Sequence, residues 1–319
     1  MAAALYDRHM LHPNSQTTPE KTLGTGNDTI YVKLGDFTEQ ESKVGGRPAV
    51  WQTSSVHQAK DSDDKYRKYA LVLRRRLDYE GELLSMTLDV YSQHIREYLQ
   101  SLTGDYPLLS LTAFPIQIKK PWGLLFHYRQ KIREDTESLS QGAKKEHLQV
   151  LVDFIKKYLG DTEREFQQNV QEGNPAKISF ENVWALFQPG TVVISQGIFH
   201  ECYEVVSYEY QMGQKGRKLI IEVIQWDYNG EMEVFGPAEV RLKIRAFVGL
   251  QQISTLSVCP LNFAKDDPES SVDEEVLRDR GRQWRKLVAF GHKEYNGSHL
   301  ASFLVALLQA DEFFRSCLG

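Results

Sequence analysis

Apolar residues recur along this chain with two different spacings, and the change between them falls near Pro189-Gly190. The ordered part opens near Lys68 with two strand-like runs, ALVLRRRL and LLSMTLDVYS, separated by DYEGE. In the second run Leu84, Met86, Leu88 and Val90 alternate with Ser85, Thr87 and Asp89, and Gly81 supplies a turn, which predicts a hairpin. Ser92 then stands as an N-cap for a helix carrying Ile95, Tyr98, Leu99 and Leu102, closed by Gly104 ahead of Pro107. Pro121 opens a further helix over PWGLLFHYRQKIRE. The next segment, KKEHLQVLVDFIKKYLG, places Leu148, Leu151, Phe154, Ile155, Tyr158 and Leu159 on one face and Gln149, Asp153, Lys156 and Lys157 on the other. Gly160 interrupts this pattern, and DTEREFQQNVQEG adds two more turns. A short helix capped by Ser179 runs to Phe187 with Val183, Trp184 and Phe187 as its apolar stripe.

From Thr191 the spacing becomes two. TVVISQ, HECYEVVSYEYQM, KLIIEVIQWDY, EVRLKIRAF and ISTLSVCPL read as strands, with Gly197, Gly213 and Gly216, Asn229-Gly230 and Gly249 at the turns. Short antiparallel strands in this number over so few residues predict a small barrel or a strongly curled sheet. Pro189 cannot extend a helix and Gly190 accepts a turn closed to other residues, so the period change reads as a packing corner plugged by Trp184. An acidic loop, DDPESSVDEE, leads to a closing helix containing VLRDRGRQWRKLV. Residues 1 to about 65 lack sustained period. Only TIYVKLGDF, Thr29 to Phe37, predicts a short strand there, and the rest reads as a mobile tail.

The expected fold is therefore α+β. A hairpin and helices come first, then the small antiparallel barrel or curled sheet, then the closing helix. The boundaries are a mostly disordered tail over 1–65 and one domain over 66–297, within which 92–188 is helical, 189–263 is the β part and 272–290 is the closing helix.

Composition narrows the function classes. At 319 residues with 41% hydrophobic and 25% charged residues, the chain is an ordinary globular protein, and a net charge of −5 provides no general attraction to nucleic acid or to an anionic membrane. Cys202, Cys259 and Cys317 are odd in number and far apart, which fits neither a disulfide framework nor a zinc knuckle and favours a reducing compartment. The N-terminal MAAALYDRHMLHPNS has neither a secretory nor a mitochondrial pattern, and the longest apolar run, LASFLVALLQA, is too short for a membrane helix. The expected location is intracellular, cytoplasmic or nuclear.

No catalytic constellation is legible. GQKGRKL, Gly213 to Leu219, has the wrong spacing for a phosphate loop and lies between strands, so it reads as a hairpin tip; LGTGND, Leu23 to Asp28, reads as linker. His200, Glu201 and Cys202 are adjacent potential ligands, but a metal would need others such as His127 or His147 brought in by the fold. Cys202 with His200 as base lacks any oxyanion device. Arg278, Arg282 and Arg285 share one face of the closing helix beside Trp284. That face and Trp184 form the candidate interaction surface, cations next to aromatics. Arg74-Arg75-Arg76 is a second short cluster, which strand alternation splits so that Arg74 and Arg76 face together. No catalytic, cofactor or metal residue is assigned.

Several segments occur in an order that carries a resemblance. They are FHYRQKI, HLQVLVDFIKKYL, ISFENVWALFQPGTVV, CYEVVSYEYQ, EVIQWDYNGEMEVFG, IRAFVGLQQISTLSVCPL, LRDRGRQWRKLV and HKEYNG, preceded by YALVLRRRLDYEGELLSMTLDVYS. Together they resemble the uncharacterised N-terminal region of a large group of fungal AAA+ ATPases, over roughly Lys68 to Gly297. In that group the region precedes an ATPase module with Walker A, Walker B and an arginine finger. Those motifs do not occur here, and SHLASFLVALLQADEFFRSCLG departs from the group. The resemblance implies a protein-recognition module with a protein partner, AAA+ relatives included, and transfers no catalytic residue. The alternatives are a fragment of an ATP-hydrolysing AAA+ protein, or an enzyme working through His200 and Cys202 or through the Arg278–Arg285 face.

Overall fold

The computed structural model describes residues 22–25, 28–44, 47–52, 66–104, 106–196, 200–213, 216–229, 234–264 and 274–287. The chain divides into two compact units, residues 1–161 and 162–319. The architecture is mixed α+β.

The first unit is built on a six-stranded sheet of order β1-β2-β4-β5-β6, with β3 paired to β2. Its strands are β1 (Thr22–Thr25), β2 (Asp28–Val44), β3 (Arg47–Gln52), β4 (Tyr69–Leu77), β5 (Leu83–Val90) and β6 (Ile116–Lys119). The predicted β4–β5 hairpin is present and antiparallel. The strand expected over Thr29 to Phe37 is longer, and it pairs with β4 in parallel, as Leu34 opposite Leu71 and Phe37 opposite Arg74. The N-terminal region therefore contributes strands to this sheet. A long-range parallel pairing has no local signature, which is why the polar composition reads as a tail. Residues 1–21 and 53–65 lie outside the described residues.

β4 is the central strand, and Ala70, Leu71, Val72 and Leu73 are all fully buried, so both faces of the sheet are covered there. On one face Leu71, Leu73, Leu88, Val90, Ile116 and Ile118 align by register. On the other, Val72 packs with Phe37, Tyr66 and Tyr91.

The helices of this unit are α1 (Gln93–Thr103), α2 (Gly123–His127), α3 (Arg129–Ser138) and most of α4 (Ala143–Phe166), whose residues from Thr162 on belong to the second unit. α1 follows its sequence signals: the Ser92 side chain accepts the Ile95 N–H, Ile95, Tyr98 and Leu99 are buried, and Gly104 ends the helix at φ 67. The helix expected after Pro121 is split at Tyr128. It is entered through Trp122 at φ 59, a conformation that is costly for a bulky side chain. The buried Trp122 ring meets Phe154 and Tyr158 edge-on, so tertiary contacts offset that cost. Gly160 does not interrupt α4, because a glycine costs a helix only about 1 kcal/mol and the apolar stripe around it outweighs that.

The second unit contains β7 (Lys177–Ser179), β8 (Val192–Gln196), β9 (His200–Gly213), β10 (Gly216–Asn229), β11 (Val234–Arg245), β12 (Leu250–Gln252), β13 (Val258–Pro260), α5 (Leu261–Ala264) and α6 (Glu274–Leu287). A five-stranded antiparallel sheet of order β11-β10-β9-β8-β13 forms its centre, and β7 pairs with β12 in a second, small sheet. Four of the five expected strands occur as β8 to β11; of ISTLSVCPL only Val258–Pro260 is a strand, and Ile253–Thr255 turns as a 3-10 helix. The sheet does not close into the expected barrel: β11 approaches β13 and the Ser257 hydroxyl donates to the Lys243 carbonyl at 3.0 Å, yet no ladder joins the two ends among the described residues, an arrangement compatible with a curled sheet. Leu219, Ile221, Val223, Tyr203, Val205, Val193 and Ile244 line the buried face.

The segment expected as a helix from Ser179 to Phe187 differs. Ser179 ends β7, and only Val183–Leu186 turns, as a 3-10 helix. Pairing of Ile178 with Gln251 captures the start of that segment. The corner itself is as expected. Gly190 sits at φ 85 and its N–H donates to the Val205 carbonyl, so the chain turns directly into the sheet.

Candidate functional site

The surface proposed from the sequence separates into a buried residue and exposed ones. Trp184 is only 3% exposed, and its ring lies 6.1 Å from that of Tyr208 on β9. The indole serves the core of the second unit and presents no face to a partner. Arg278 and Arg282 are exposed on α6, where Arg282 bonds Asp279 one turn earlier at 2.7 Å. Arg285 is on the same helix, but its side chain and that of Trp284 lie outside the described residues.

The His200–Cys202 possibility does not gather ligands. Cys202 is buried in β9 opposite Ile194, and Cys259 lies opposite Ile194 from the other side. Cys202 and Cys259 therefore flank one residue of β8 and carry no disulfide. The His200 side chain is outside the described residues, and among the described residues no group of three or more His, Cys, Asp or Glu side chains could hold a metal ion. His147 and His127 belong to the first unit, and His147 is engaged elsewhere.

Three polar clusters were not singled out by sequence reasoning. The first is an ion pair in the sheet of the first unit. Register puts Arg74 diagonal to Asp89 on the β4–β5 hairpin, and the guanidinium reaches the carboxylate at 2.6 Å. Asp89 is 1% exposed. Burial pushes its carboxyl up, and Arg74 opposes that shift. Tyr66 donates its hydroxyl to Glu39 at 2.9 Å nearby, and burial followed by that carboxylate raises the phenol.

The second cluster joins α1 to α4. The buried Ser92 hydroxyl oxygen accepts the Ile95 N–H, which leaves its own proton to donate to Nδ1 of His147 at 2.7 Å. Burial, then the neighbouring His94, lowers His147 to about 4. The imidazole is therefore neutral at physiological pH and locks the N-cap to the long helix. A serine–histidine contact suggests a nucleophile, but Ser92 is fully buried and occupied as a cap.

The third lies in the second unit. Asn182 donates to Glu165 at 2.7 Å and accepts from the Thr162 hydroxyl at 3.1 Å. Tyr210 donates to the Phe180 and Glu181 carbonyls, and its ring packs on Phe180. The FENVWALF stretch is thus fixed by its polar members as well as by Trp184 and Phe187.

One exposed arrangement stands apart from these internal ties. Phe114, in the loop between α1 and β6, is 53% exposed. The Arg96 guanidinium sits 4.8 Å from its ring centroid and that of Arg67 5.6 Å, while Tyr91 meets the ring edge-on at 5.7 Å. Gln100 holds the loop to α1 by donating to the Leu111 carbonyl at 2.7 Å.

Comparison with known proteins gives one finding. No curated protein and no solved structure matches the chain. Residues 168–265, which hold the Asn182 and Trp184 corner and the whole five-stranded sheet, match the model of a domain of unknown function, DUF7025.

Proposed function

We propose that this chain is a non-catalytic recognition module that binds a protein partner, related to the N-terminal region of fungal AAA+ ATPases. The observation that carries this reading is where the chemistry-bearing side chains go. Arg74 with Asp89, Ser92 with His147, and Glu165 with Asn182 tie elements together inside each unit. The large side chains left at the surface, among them Phe114, Trp226 and Met212, are instead the types that anchor protein interfaces. N-terminal domains of AAA+ machines select substrates or adaptors, which is the role the resemblance implies. The buried, unbridged Cys202 and Cys259 support an intracellular setting.

Phosphate release from ATP by the purified chain is the direct test. The reading expects none above a control lacking the protein, and turnover that co-purifies with the chain through successive columns would overturn it. A second reading, a fragment of an AAA+ ATPase, rests on the same resemblance. The genomic frame downstream decides it: an in-frame Walker A after an intron establishes the fragment.

A further inference from the structure

We infer that the Phe114 loop and Arg96 of α1 form a docking point for a short acidic segment of a protein partner, one that carries an apolar side chain next to its carboxylates. This rests on the recognition-module reading and assigns that role a place in the first unit instead of at the closing-helix arginines.

The argument begins with Arg96. Its side chain is half-buried, its Nε–H is buried with no hydrogen-bond partner among the described residues, and its guanidinium lies 4.8 Å from the Phe114 ring centroid. Nε itself is buried, so the terminal Nη donors are the ones left to meet a planar carboxylate. Arg67 places a second cation 5.6 Å from the same ring centroid. Phe114 itself is more than half exposed although Tyr91 meets it edge-on, so the ring offers an apolar surface next to two guanidinium groups.

The support beneath is fixed before any partner arrives. Gln100 ties the loop to α1, the Ala113 N–H donates to the Ser110 carbonyl within the loop, and the Arg96 N–H donates to the Ser92 carbonyl in the first turn of α1. A rigid aromatic flanked by arginines is the composition of an interface hot spot, because little side-chain entropy remains to be lost on binding.

Charge favours a short acidic peptide over a long polyanion. The chain as a whole carries −5, so nucleic acid or an anionic membrane in contact with a wide area meets net repulsion, and polyanion binding depends on many cationic contacts. A short segment meets only the local positive patch.

The test is a fluorescence-anisotropy titration of the full chain. The probe is a fluorescein-labelled peptide of aspartate and glutamate around one central phenylalanine. Comparison probes replace the acids with lysine, replace the phenylalanine with alanine, or substitute oligo(dT) or phosphatidylserine vesicles. Saturable binding in the range of about 10–100 µM is expected for the acidic peptide. Arg96→Glu is expected to weaken it roughly tenfold or more, Phe114→Ala about tenfold, and Arg282→Glu on the closing helix by less than about twofold. Circular dichroism checks each variant; if Arg96→Glu does not fold, Arg96→Gln and Phe114→Ala decide the matter. Lack of saturable peptide binding, equal affinity in the Arg96 and Phe114 variants, or tighter binding of oligo(dT) or vesicles overturns the inference. Such a result leaves the recognition-module reading standing, whereas ATP turnover removes that reading without altering the peptide data.

Discussion

The two units bury polar groups in contrasting ways. Among the described residues, the first unit encloses Asp89, Arg129 and His147 along with Ser92 and Thr136. The second encloses Ser207, Gln225 and Ser254, all neutral. Where the first unit joins strands by an ion pair and helices by an imidazole, the second relies on a sheet with an apolar inner face and, at its corner, on amide and hydroxyl bonds in which the carboxylate, Glu165, is only half-buried. Internal charge makes a structure sensitive to pH and intolerant of losing one partner, because the survivor is left desolvated. Ties without a fully buried ionised group carry less of that dependence. The first unit should therefore be the one that responds to acid and to charge deletion.

The largest expected effect breaks the Arg74–Asp89 pair. Asp89→Ala leaves the guanidinium facing an apolar sheet and should cost about 3–5 kcal/mol, read by urea unfolding at neutral pH. A cost below about 1 kcal/mol would mean that solvent already screens the pair and that the contrast between the units is overstated.

Acid is the next lever. His147 is lowered to about 4 in the folded chain, against about 6.5 unfolded. A group with a depressed folded pKa contributes stability that is complete above its unfolded value and is lost as pH falls toward the folded one. Stability of the first unit should thus decline between about pH 6.5 and 4, by about 2 kcal/mol once solvent screening is allowed for. Peptide-resolved hydrogen exchange should show α1 and α4 losing protection on acidification while β9 to β11 hold theirs. His147→Gln should flatten that response. If the sheet of the second unit loosens first, the comparison is reversed.

A smaller effect sharpens the same tie. Ser92→Ala removes both the cap and the donor to His147, for about 1 kcal/mol. Combined with His147→Gln, it should show a coupling energy of about 0.5 kcal/mol or more, since the two side chains act on one bond. Full additivity would separate the cap from the imidazole. The smallest effect belongs to the closing helix: Arg282→Ala should change stability by no more than about 0.5 kcal/mol, because its bond to Asp279 is exposed.

Much of this was legible in local pattern. The hairpin, the Ser92 cap, the stripe on α4, the strands after Thr191 and the turn at Gly190 follow from spacing and from Gly and Pro chemistry, which act within a few residues. The parallel pairing of Asp28–Val44 with β4 was not legible, since its partner lies across a long connection. Nor was the Asp89 tie, although the signal was present. Once the hairpin register is set, Asp89 stands diagonal to Arg74, and an acid inside an apolar alternation asks for a cation. Ser179 misled because its strand pairing with β12 outcompeted a local cap.

By itself the amino-acid order determined which segments take which period, where the chain turns, and that the inner faces are apolar, because these depend on neighbours in sequence. Only the tertiary structure decided that Ser179 joins a strand, that the five-stranded sheet stays open, and that Phe114 remains exposed beside Arg96. Each of those outcomes depends on what distant residues bring to the same place, and neither propensity nor spacing encodes that.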